Sequence, residues 1–430
     1  MGMEVHVLEV TMDNQDLREI VNPVFNTAKS CVQLVAAAGD EDAQRLLDAL
    51  GFEPFGSQVA KRPVPPEMVE QVKRLFPAYT ILIESRFQAM NCLIDRMADR
   101  QIVDLPCGYT SRGIRLSRQG RTYYGFDLPA VIDAIGPAVE GIIGKNEKIT
   151  YHAVDATNYE SLEAAFTEDS KNLLITTEGL LMYFSQSELE EVFSNVHRLL
   201  KKYGGSWVTT DRAYFLHDKE VVSGALGNDP QLNAMYAAIT NQAAATTADV
   251  KFNDSVFFDA DEDEVRAFIK KMGFELNEIC MADYLPEKFG SLAGNPEADQ
   301  AVRDAFGKMM FWELTVADTA AAKPAAPDQN LPFKVDVELK DGVFTASVQG
   351  RMDTMTAPEL LAKFQEAGEG IEAIHVDVSR MAYVSSAGLR VLLMMYKSLK
   401  DKGQFDLSGV SDDVREILET TGFDQFLLKD

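Results

Sequence analysis

Two aspartates stand at the ends of short apolar runs near the middle of the chain. Asp104 lies within the run 102–105, and Asp127 follows the run 122–126. In open α/β sheets, ligands bind beyond the carboxyl ends of the strands, and an acid about 20 residues after the first strand-to-helix turn accepts ribose hydroxyls. Asp127 has this spacing from Gly108, so the pattern predicts a nucleoside site.

The elements that position these acids are predicted as strand, turn, helix and strand. Residues 106–108 form the turn, and a helix-like segment follows over 110–118. The dinucleotide fingerprint G-x-G-x-x-G is absent, because Gly108 is the one glycine of the turn. A ligand without a pyrophosphate needs less glycine, which favours S-adenosylmethionine over NAD or FAD. The structural alternative is that Asp104 caps the next turn and that Asp127 holds no ligand.

Three segments resemble the leucine carboxyl methyltransferase and polyketide O-methyltransferase family. They are VDLPCGYTSRGIRL, then YYGFDLPAVI, and further on TTEGLLMYFSQSELEEVFSNVHRLL. The family shows VDLGAGLDTR, a strand ending VDLP and an EGLLMYL motif in the same order, and residues from about 70 to 316 share its layout. The resemblance implies an α/β fold with a class I (Rossmann-like) methyltransferase sheet, and S-adenosylmethionine as the cofactor.

The resemblance also implies which residues bind the cofactor. Arg86 stands where the family has an arginine that pairs with the methionine carboxylate, and such a pair can be bidentate. Asp155, after the third predicted strand, stands where a carboxylate accepts the adenine amine. The alternatives are a surface arginine and a helix cap. The predicted cofactor-binding residues are Arg86, Asp104, Gly108, Asp127, Leu128, Asp155, Ala156 and Glu178.

The first motif departs from the family at two places. Pro106 replaces a glycine, and Thr110-Ser111-Arg112 replaces Asp-Thr-Arg. Proline fixes φ, lacks an N–H and adds bulk where backbone should approach the ligand. An alternative function is therefore a signalling adaptor that has lost catalysis and senses S-adenosylmethionine or nothing.

Candidate catalytic residues follow the fifth predicted strand, 206–210. Asp211 and Arg212 lie at its tip and would face the crevice, and His217 comes shortly afterwards. A carboxylate acceptor needs only a cationic anchor such as Arg212. A phenol would gain about 10²- to 10⁴-fold from a general base, for which His217 is the best candidate among the histidines; the alternative is a surface histidine. The predicted activity is O-methylation of a small carboxylate or phenol.

The remaining pattern predicts how the chain is organised. Helical spacing dominates the first hundred residues, and an insertion over 214–258 would form a lid over the substrate. Strands at 274–281 and 309–316 would close the sheet as an antiparallel pair. An Ala- and Pro-rich stretch is typical of a linker. The predicted parts are a helical segment 1–98, with a weak edge strand at 3–10, a methyltransferase domain 99–316, the linker 317–331 and a second domain 332–430.

The second domain is predicted as a small α/β unit that starts with a hairpin around Lys340-Asp341-Gly342. The segments GRMDTMTAPEL and HVDVSRMAYVSSAGLRVLLMMYKSLKDKG resemble the STAS domain of anti-sigma-factor antagonists. Those proteins carry G-x-x-D and, before a helix, D-S-[ST]-G-L, whose serine a partner kinase phosphorylates. The match places Ser386 at the phosphoserine, Ser385 at the aspartate and Asp353 at the acid of G-x-x-D.

A phosphate on Ser386 would meet free N–H groups at a helix start. It would also place a charge of about −1.5 to −2 on a contact surface and so could eject a partner. The resemblance thus implies an anti-sigma-factor-like kinase, or another STAS partner protein. The alternative is that Ser385 and Ser386 only cap the helix.

Composition limits the partners and the compartment. The formal net charge of −26 disfavours nucleic acid and anionic membranes. Four cysteines without a C-x-x-C pair are typical of reduced thiols, which predicts a cytoplasmic protein. The five histidines show no ligand spacing, so no metal is expected, and no apolar run is long enough to span a membrane.

Overall fold

The structure is a computed structural model that describes residues 24–55, 57, 66–244, 255–317 and 332–428, except for 341, 369, 400–402, 412–413, 416 and 419–422. The predicted edge strand at 3–10 and nearly all of the predicted linker lie outside these residues. The described residues divide into two compact units, of which the larger comprises those from 25 to 317 and the smaller those from 332 to 428. Among the helices described, none is long and apolar enough to cross a bilayer.

The larger unit is built on one sheet of seven strands. The first five strands along the chain are parallel, and β7 pairs antiparallel with both β5 and β6, in the spatial order β3-β2-β1-β4-β5-β7-β6. This confirms the predicted antiparallel closing pair. The strands are β1 Gln101–Asp104, β2 Tyr123–Asp127, β3 Ile149–Ala153, β4 Leu173–Thr177, β5 Gly205–Thr209, β6 Phe274–Cys280 and β7 Met310–Val316.

Helices cover both faces of this sheet, as continuous apolar strands require. Alternate strand residues point to opposite faces. Ile102 and Leu174 therefore belong to one core, and Val103 and Ile175 belong to the other. The helices are α1 Val24–Ala37, α2 Glu41–Ala49, α3 Pro66–Arg96, α4 Arg112–Arg118, α5 Pro129–Ile143, α6 Tyr159–Glu163, α7 Gln186–Tyr203, α8 Asp211–Ala225, α9 Pro230–Ala244, α10 Val256–Asp259, α11 Glu262–Lys271 and α12 Pro296–Phe306.

Helix α7 begins with the capping box that its sequence predicts. Ser185 accepts a hydrogen bond from the N–H of Glu188, and the Glu188 carboxylate accepts one from the N–H of Ser185. His197 of this helix is buried, and its ring packs against Phe274. This histidine therefore contributes to the core.

The insertion after β5 contains α8 and α9, which return along α3. A small apolar cluster joins the three helices, with Ala78 on α3, Val222 on α8 and Leu232 on α9 as members. Residues 245–254, which were expected to continue the helical region, lie outside the described part of the chain. The described helices of the insertion thus pack against α3.

The smaller unit has a four-stranded sheet in the order β11-β10-β9-β8 with its own core. Strands β8 and β9 pair in an antiparallel manner around Gly342, as the predicted hairpin requires. Its elements are β8 Lys334–Lys340, β9 Val343–Met352, α13 Ala357–Glu366, β10 Ala373–Val384, α14 Ser386–Ser398, β11 Gln404–Ser408 and α15 Asp424–Leu427.

Candidate functional site

Asp127 ends β2 at the carboxyl edge of the sheet and faces the turn after β1. The N–H of Gly108 donates to its Oδ2 at 2.7 Å, and the N–H of Leu128 donates to its Oδ1 at 2.7 Å. Burial raises the pKa of Asp127 to about 6, and the two backbone donors offset part of this rise. A carboxylate accepts about four hydrogen bonds, so each oxygen retains a position for another donor.

The turn before Asp127 approaches it through backbone. Gly108 has a φ of +50°, and a Cβ there would lie 3.7 Å from the Cβ of Ala28. The Leu105–Pro106 peptide is cis. The next residue, Cys107, donates its N–H to the carbonyl of Phe126 at 2.7 Å. The turn therefore bonds to the end of β2 through two successive N–H groups, one to the Phe126 carbonyl and one to the Asp127 carboxylate.

Asp104 is not open to a ligand, because it lies in a buried network. Its Oδ1 accepts from Nη1 of Arg112 at 2.7 Å and from the hydroxyl of Thr176, and its Oδ2 accepts from the hydroxyl of Tyr123 at 2.9 Å. The side chain is 2% exposed. The prediction that Asp104 contacts the cofactor is thus replaced by a structural role at the tip of β1.

Arg112 connects this network to the neighbouring strand, and sequence reasoning did not identify it as a site residue. Its Nε donates to Asn91 at 2.8 Å, and its Nη2 donates to Oε1 of Glu178 at 2.8 Å. The guanidinium thereby ties α3, β1 and the residue after β4 together. The position of Arg112 in the first motif was the only sign in the sequence that it belongs to the site. Its neighbours in the sequence do not indicate that it contacts Asn91 and Glu178.

Glu178 and Arg86 face each other at the end of β4. Nε of Arg86 lies 4.0 Å from Oε2 of Glu178, and the Arg86 guanidinium lies 5.7 Å from the ring centroid of Tyr214. The Arg86 side chain is 16% exposed, and its terminal nitrogens take no part in the hydrogen bonds found among the described residues. Burial raises the pKa of Glu178, while Arg112 and Arg86 oppose that rise. A ligand with neighbouring ammonium and carboxylate groups would complement this pair, the carboxylate facing Arg86 and the ammonium facing Glu178.

Asp211 begins α8, and its carboxylate is occupied by backbone. It accepts from the N–H groups of Gly179, Leu180 and Leu181 at 2.5, 2.9 and 2.8 Å. The side chain is buried, and desolvation raises its pKa against the effect of these donors. Asp211 therefore fixes the backbone that follows Glu178, which the predicted catalytic role did not anticipate.

Arg212 turns to the other side of α8. Its Nη1 donates to the carbonyls of Phe257 and Phe258 at 2.6 and 3.2 Å, and its Nη2 donates to the carbonyl of Ala260 at 3.0 Å. Both terminal nitrogens thus clamp the chain around α10. The predicted anchoring of an acceptor carboxylate by Arg212 conflicts with this geometry, because the carbonyls already use the guanidinium.

His217 lies two turns into α8 and is partly exposed. Its Nδ1 lies 3.7 Å from Oε2 of Glu220, which belongs to the same helix. Tyr214, one turn earlier, is buried and exchanges a hydrogen bond with Ser85 at 3.0 Å between hydroxyl oxygens. The ring of Tyr214 thus lies beside the Arg86 guanidinium.

The residues after β3 form a tight turn. Oδ1 of Asp155 accepts both the N–H and the hydroxyl of Thr157, at 2.8 and 2.6 Å. The carbonyl of Ala156 accepts from the Asn195 side chain at 3.0 Å. The cap of α6 is Asn158 rather than Asp155. Asp155 thus stabilises its own turn, and Ala156 is held against α7.

Four of the predicted residues come together at the carboxyl edge of β1, β2 and β4. Gly108, Asp127, Arg86 and Glu178 offer backbone approach, a carboxylate with acceptor capacity, and an oppositely charged pair. These groups suit a ligand that carries a diol and a zwitterionic end. No cluster of three or more His, Cys, Asp or Glu side chains that could hold a metal ion occurs in the portion of the chain that is described.

A second candidate site lies where β9 and β10 end in the smaller unit. Ser385 caps α14 by accepting from the N–H of Gly388 at 3.4 Å, and its own N–H donates to the carbonyl of Met352 at 3.0 Å. Ser386 is the first residue of the helix and is half-buried. Asp353 is buried and accepts from the N–H groups of Met355 and Thr356 at 3.0 and 3.1 Å. Ser385 therefore has a capping role, and Ser386 lies beside it.

Comparison with protein families matches the two units separately. A family described as leucine carboxyl methyltransferase matches residues 24–197, and a family described as Mlab, STAS domain matches residues 335–429. The first match includes all eight residues predicted to bind the cofactor. The second includes Asp353, Ser385 and Ser386.

Individual proteins are similar to one or the other part of the chain. A putative anti-sigma factor antagonist, BtrV of Bordetella bronchiseptica, is 34% identical over 93 residues, which are 21% of this chain and 80% of that protein. An anti-sigma factor antagonist from Mycobacterium paratuberculosis has 29% identity over 24% of this chain and 86% of its own, with a TM-score of 0.21. Magnesium protoporphyrin IX methyltransferase from Synechocystis, solved with bound SAH, has 11% identity over 70% of this chain and 100% of its own, with a TM-score of 0.30.

The chain thus carries a leucine carboxyl methyltransferase domain followed by a STAS domain, and through the latter it belongs to the family of the anti-sigma factor antagonists.

Proposed function

We propose that the larger unit is an S-adenosylmethionine-dependent O-methyltransferase for a small carboxylate or phenol, and that the STAS domain regulates it or recruits a partner. The observation that carries the proposal is the setting of Asp127. Its carboxylate faces the turn at Gly108, and one backbone donor to each oxygen leaves acceptor positions for the two hydroxyls of a ribose.

Arg86 and Glu178 would hold the amino acid end of the cofactor. Arg86 would donate to the α-carboxylate through its terminal nitrogens, and Oε2 of Glu178 would accept from the α-ammonium. Arg112 occupies the other oxygen of Glu178, which orients the carboxylate toward Arg86. Leu128, Asp155 and Ala156 are proposed to line the adenine.

When bound, S-adenosylmethionine supplies an electrophilic methyl group on a sulfonium. The residues around it contribute mainly by holding donor and acceptor in line, which can supply roughly 7 to 11 kcal/mol. An acceptor carboxylate is already anionic and needs no base. A phenol would require one, and His217, which neighbours Glu220, is proposed for that step. A His217→Gln variant would then lose rate with phenols and keep its rate with carboxylates.

Isothermal titration of the full-length protein with S-adenosylmethionine and S-adenosylhomocysteine tests the cofactor assignment. We expect binding of both ligands, and we expect the Asp127→Ala variant to weaken both by about tenfold or more, since hydrogen bonds to a charged group contribute about 1.5–3 kcal/mol. No heat from either ligand with the wild-type protein would contradict the enzyme and favour the adaptor.

For the STAS domain we propose partner switching with an anti-sigma-factor-like kinase, controlled by phosphorylation of Ser386. Two observations support this. Ser386 opens a helix of 13 residues, and the neighbouring Ser385 already performs the capping. A phosphate on Ser386 would therefore lie at the positive end of the helix dipole. A cytoplasmic location, expected from the four cysteines, is part of the same proposal.

Mass spectrometry of the protein purified from its native cells tests the modification. A peptide with phosphate on Ser386 under at least one growth or stress condition is expected. Phosphate on Ser385 instead, or none under all conditions tested, would contradict the proposed switch.

A further inference from the structure

The loop that follows β4 contacts two oppositely charged side chains. Asp211 accepts the three successive N–H groups of Gly179, Leu180 and Leu181. The Arg86 guanidinium lies against Gly179, because a Cβ built there would be 3.2, 3.3 and 3.5 Å from its Nη1, Nη2 and Cζ. Gly179 thus contacts both charged groups, which also attract each other electrostatically.

The contact between Gly179 and Arg86 restricts the conformation of both residues. Gly179 has a φ of +72°, a conformation that L side chains rarely adopt. Three amides on one carboxylate hold the loop in this conformation, and the position of Gly179 in turn sets how far the Arg86 guanidinium can extend. Asp211 is 1% exposed, so its carboxylate has no access to a substrate in solution.

We infer that Asp211 is a positioning residue: by fixing the loop Gly179–Leu181, it fixes the place of the Arg86 guanidinium and so the affinity for the amino acid end of the cofactor. This inference rests on the proposed function. It replaces the catalytic role that the sequence predicted for Asp211.

The chemistry of the asparagine substitution makes the inference testable. An amide has one oxygen and therefore two acceptor positions, whereas the Asp211 carboxylate receives three donors. The amide nitrogen would also present hydrogen atoms to a loop that offers only N–H groups. Asp211→Asn should therefore release part of the loop while it preserves side-chain volume.

Two ligands distinguish binding of the amino acid end of the cofactor from binding of its adenosine end. S-adenosylhomocysteine carries the amino acid end, and 5′-methylthioadenosine has the same adenosine and thioether but lacks that end. Titration calorimetry of the full chain should show that Asp211→Asn weakens S-adenosylhomocysteine by about tenfold or more. Binding of 5′-methylthioadenosine should stay within about twofold of wild type.

A variant in Arg86 completes the test. If Asp211 acts through Arg86, Asp211→Asn should cost no further affinity for S-adenosylhomocysteine in an Arg86→Gln background. Asp218→Asn is the matched control, because it neutralises a half-buried carboxylate of the same helix, which accepts a hydrogen bond from the adjacent N–H of Lys219. Asp218→Asn should leave the affinity for both ligands at the wild-type level.

The outcomes are distinguishable. Equal weakening of both ligands by Asp211→Asn, or no weakening of either, would overturn the inference and leave the cofactor assignment intact. Failure of the wild-type protein to bind either ligand would overturn the proposed function itself. Should Asp211→Asn fail to fold, as judged by the fluorescence of Trp207 and Trp312, Asp211→Glu provides the same comparison with the charge retained.

Discussion

Arg112 and Asp104 form an ion pair of 2.7 Å in which neither side chain is more than 3% exposed. The same guanidinium also binds Glu178 at 2.8 Å. One cation therefore pairs with two carboxylates, at the tips of neighbouring strands. The pair holds together the edge of the sheet at which the cofactor is proposed to bind.

Removing Arg112 should destabilise the larger unit severely. Arg112→Ala would leave the buried Asp104 without its cation and would leave Glu178 with only the more distant Arg86. Breaking a buried pair in this way costs about 3–5 kcal/mol. Both tryptophans of the chain, Trp207 and Trp312, belong to this unit, so urea unfolding followed by their fluorescence reports on it.

Arg118→Ala is the control for that measurement. Arg118 pairs with Asp42, but its side chain is 55% exposed. A solvated pair of this kind contributes about 0–1 kcal/mol. Similar losses of unfolding free energy in the two variants would contradict the importance given to the buried network.

Ligand affinity should depend on pH through Asp127. Burial raises the pKa of this carboxyl to about 6, and ribose hydroxyls donate to its ionised form. Affinity for S-adenosylhomocysteine should therefore fall by about fourfold from pH 8 to pH 5.5 as Asp127 takes up a proton. Calorimetry across this range measures the effect, and the slope should vanish in Asp127→Asn.

The raised pKa of Asp127 affects folding stability in the opposite direction from ligand affinity. Its folded value is higher than the ordinary value of 3.8, so the folded state binds more protons between about pH 4 and 6. The Asp127 contribution to stability should decline as pH rises through this window. An affinity for S-adenosylhomocysteine that is flat with pH in the wild type would contradict the proposed contact.

Gly179→Ala should weaken the binding of S-adenosylhomocysteine by more than backbone strain alone would. The positive φ alone costs about 1–2 kcal/mol of stability for a residue with a Cβ, and the methyl group would also meet the Arg86 guanidinium at 3.2 Å. Gly204 has the same φ of +72° and open space around it. Gly179→Ala should weaken S-adenosylhomocysteine about tenfold or more in calorimetry, whereas Gly204→Ala should only lower stability.

The two serines at the start of α14 should differ in how much their replacement lowers stability. Ser385 provides the cap and is buried, so Ser385→Ala should cost about 1 kcal/mol. Ser386 is the first helical residue and half-buried, and its replacement by alanine should cost less. Chemical unfolding of the full chain followed by circular dichroism at the helical minimum measures both. A larger loss from Ser386→Ala would contradict the assignment of roles.

Local patterns in the sequence determined most of the fold. Alternation and helical spacing predicted the strands around Asp104 and Asp127, the capping box at Ser185 and the antiparallel closing pair. These features depend on residues a few positions apart, so the sequence contains them directly. The motifs also located Arg86 and Glu178, which the structure brings within 4.0 Å of each other.

Only the tertiary structure decided what each polar group does. Arg112 reaches Glu178 across 66 positions of sequence, and Asp211 reaches Gly179 across 32. A buried charge must find a partner, and which partner lies within reach depends on how the strands are ordered in the sheet. For this reason the sequence could place Asp211 and Arg212 at the edge of the sheet but could not show that backbone amides and carbonyls would occupy them.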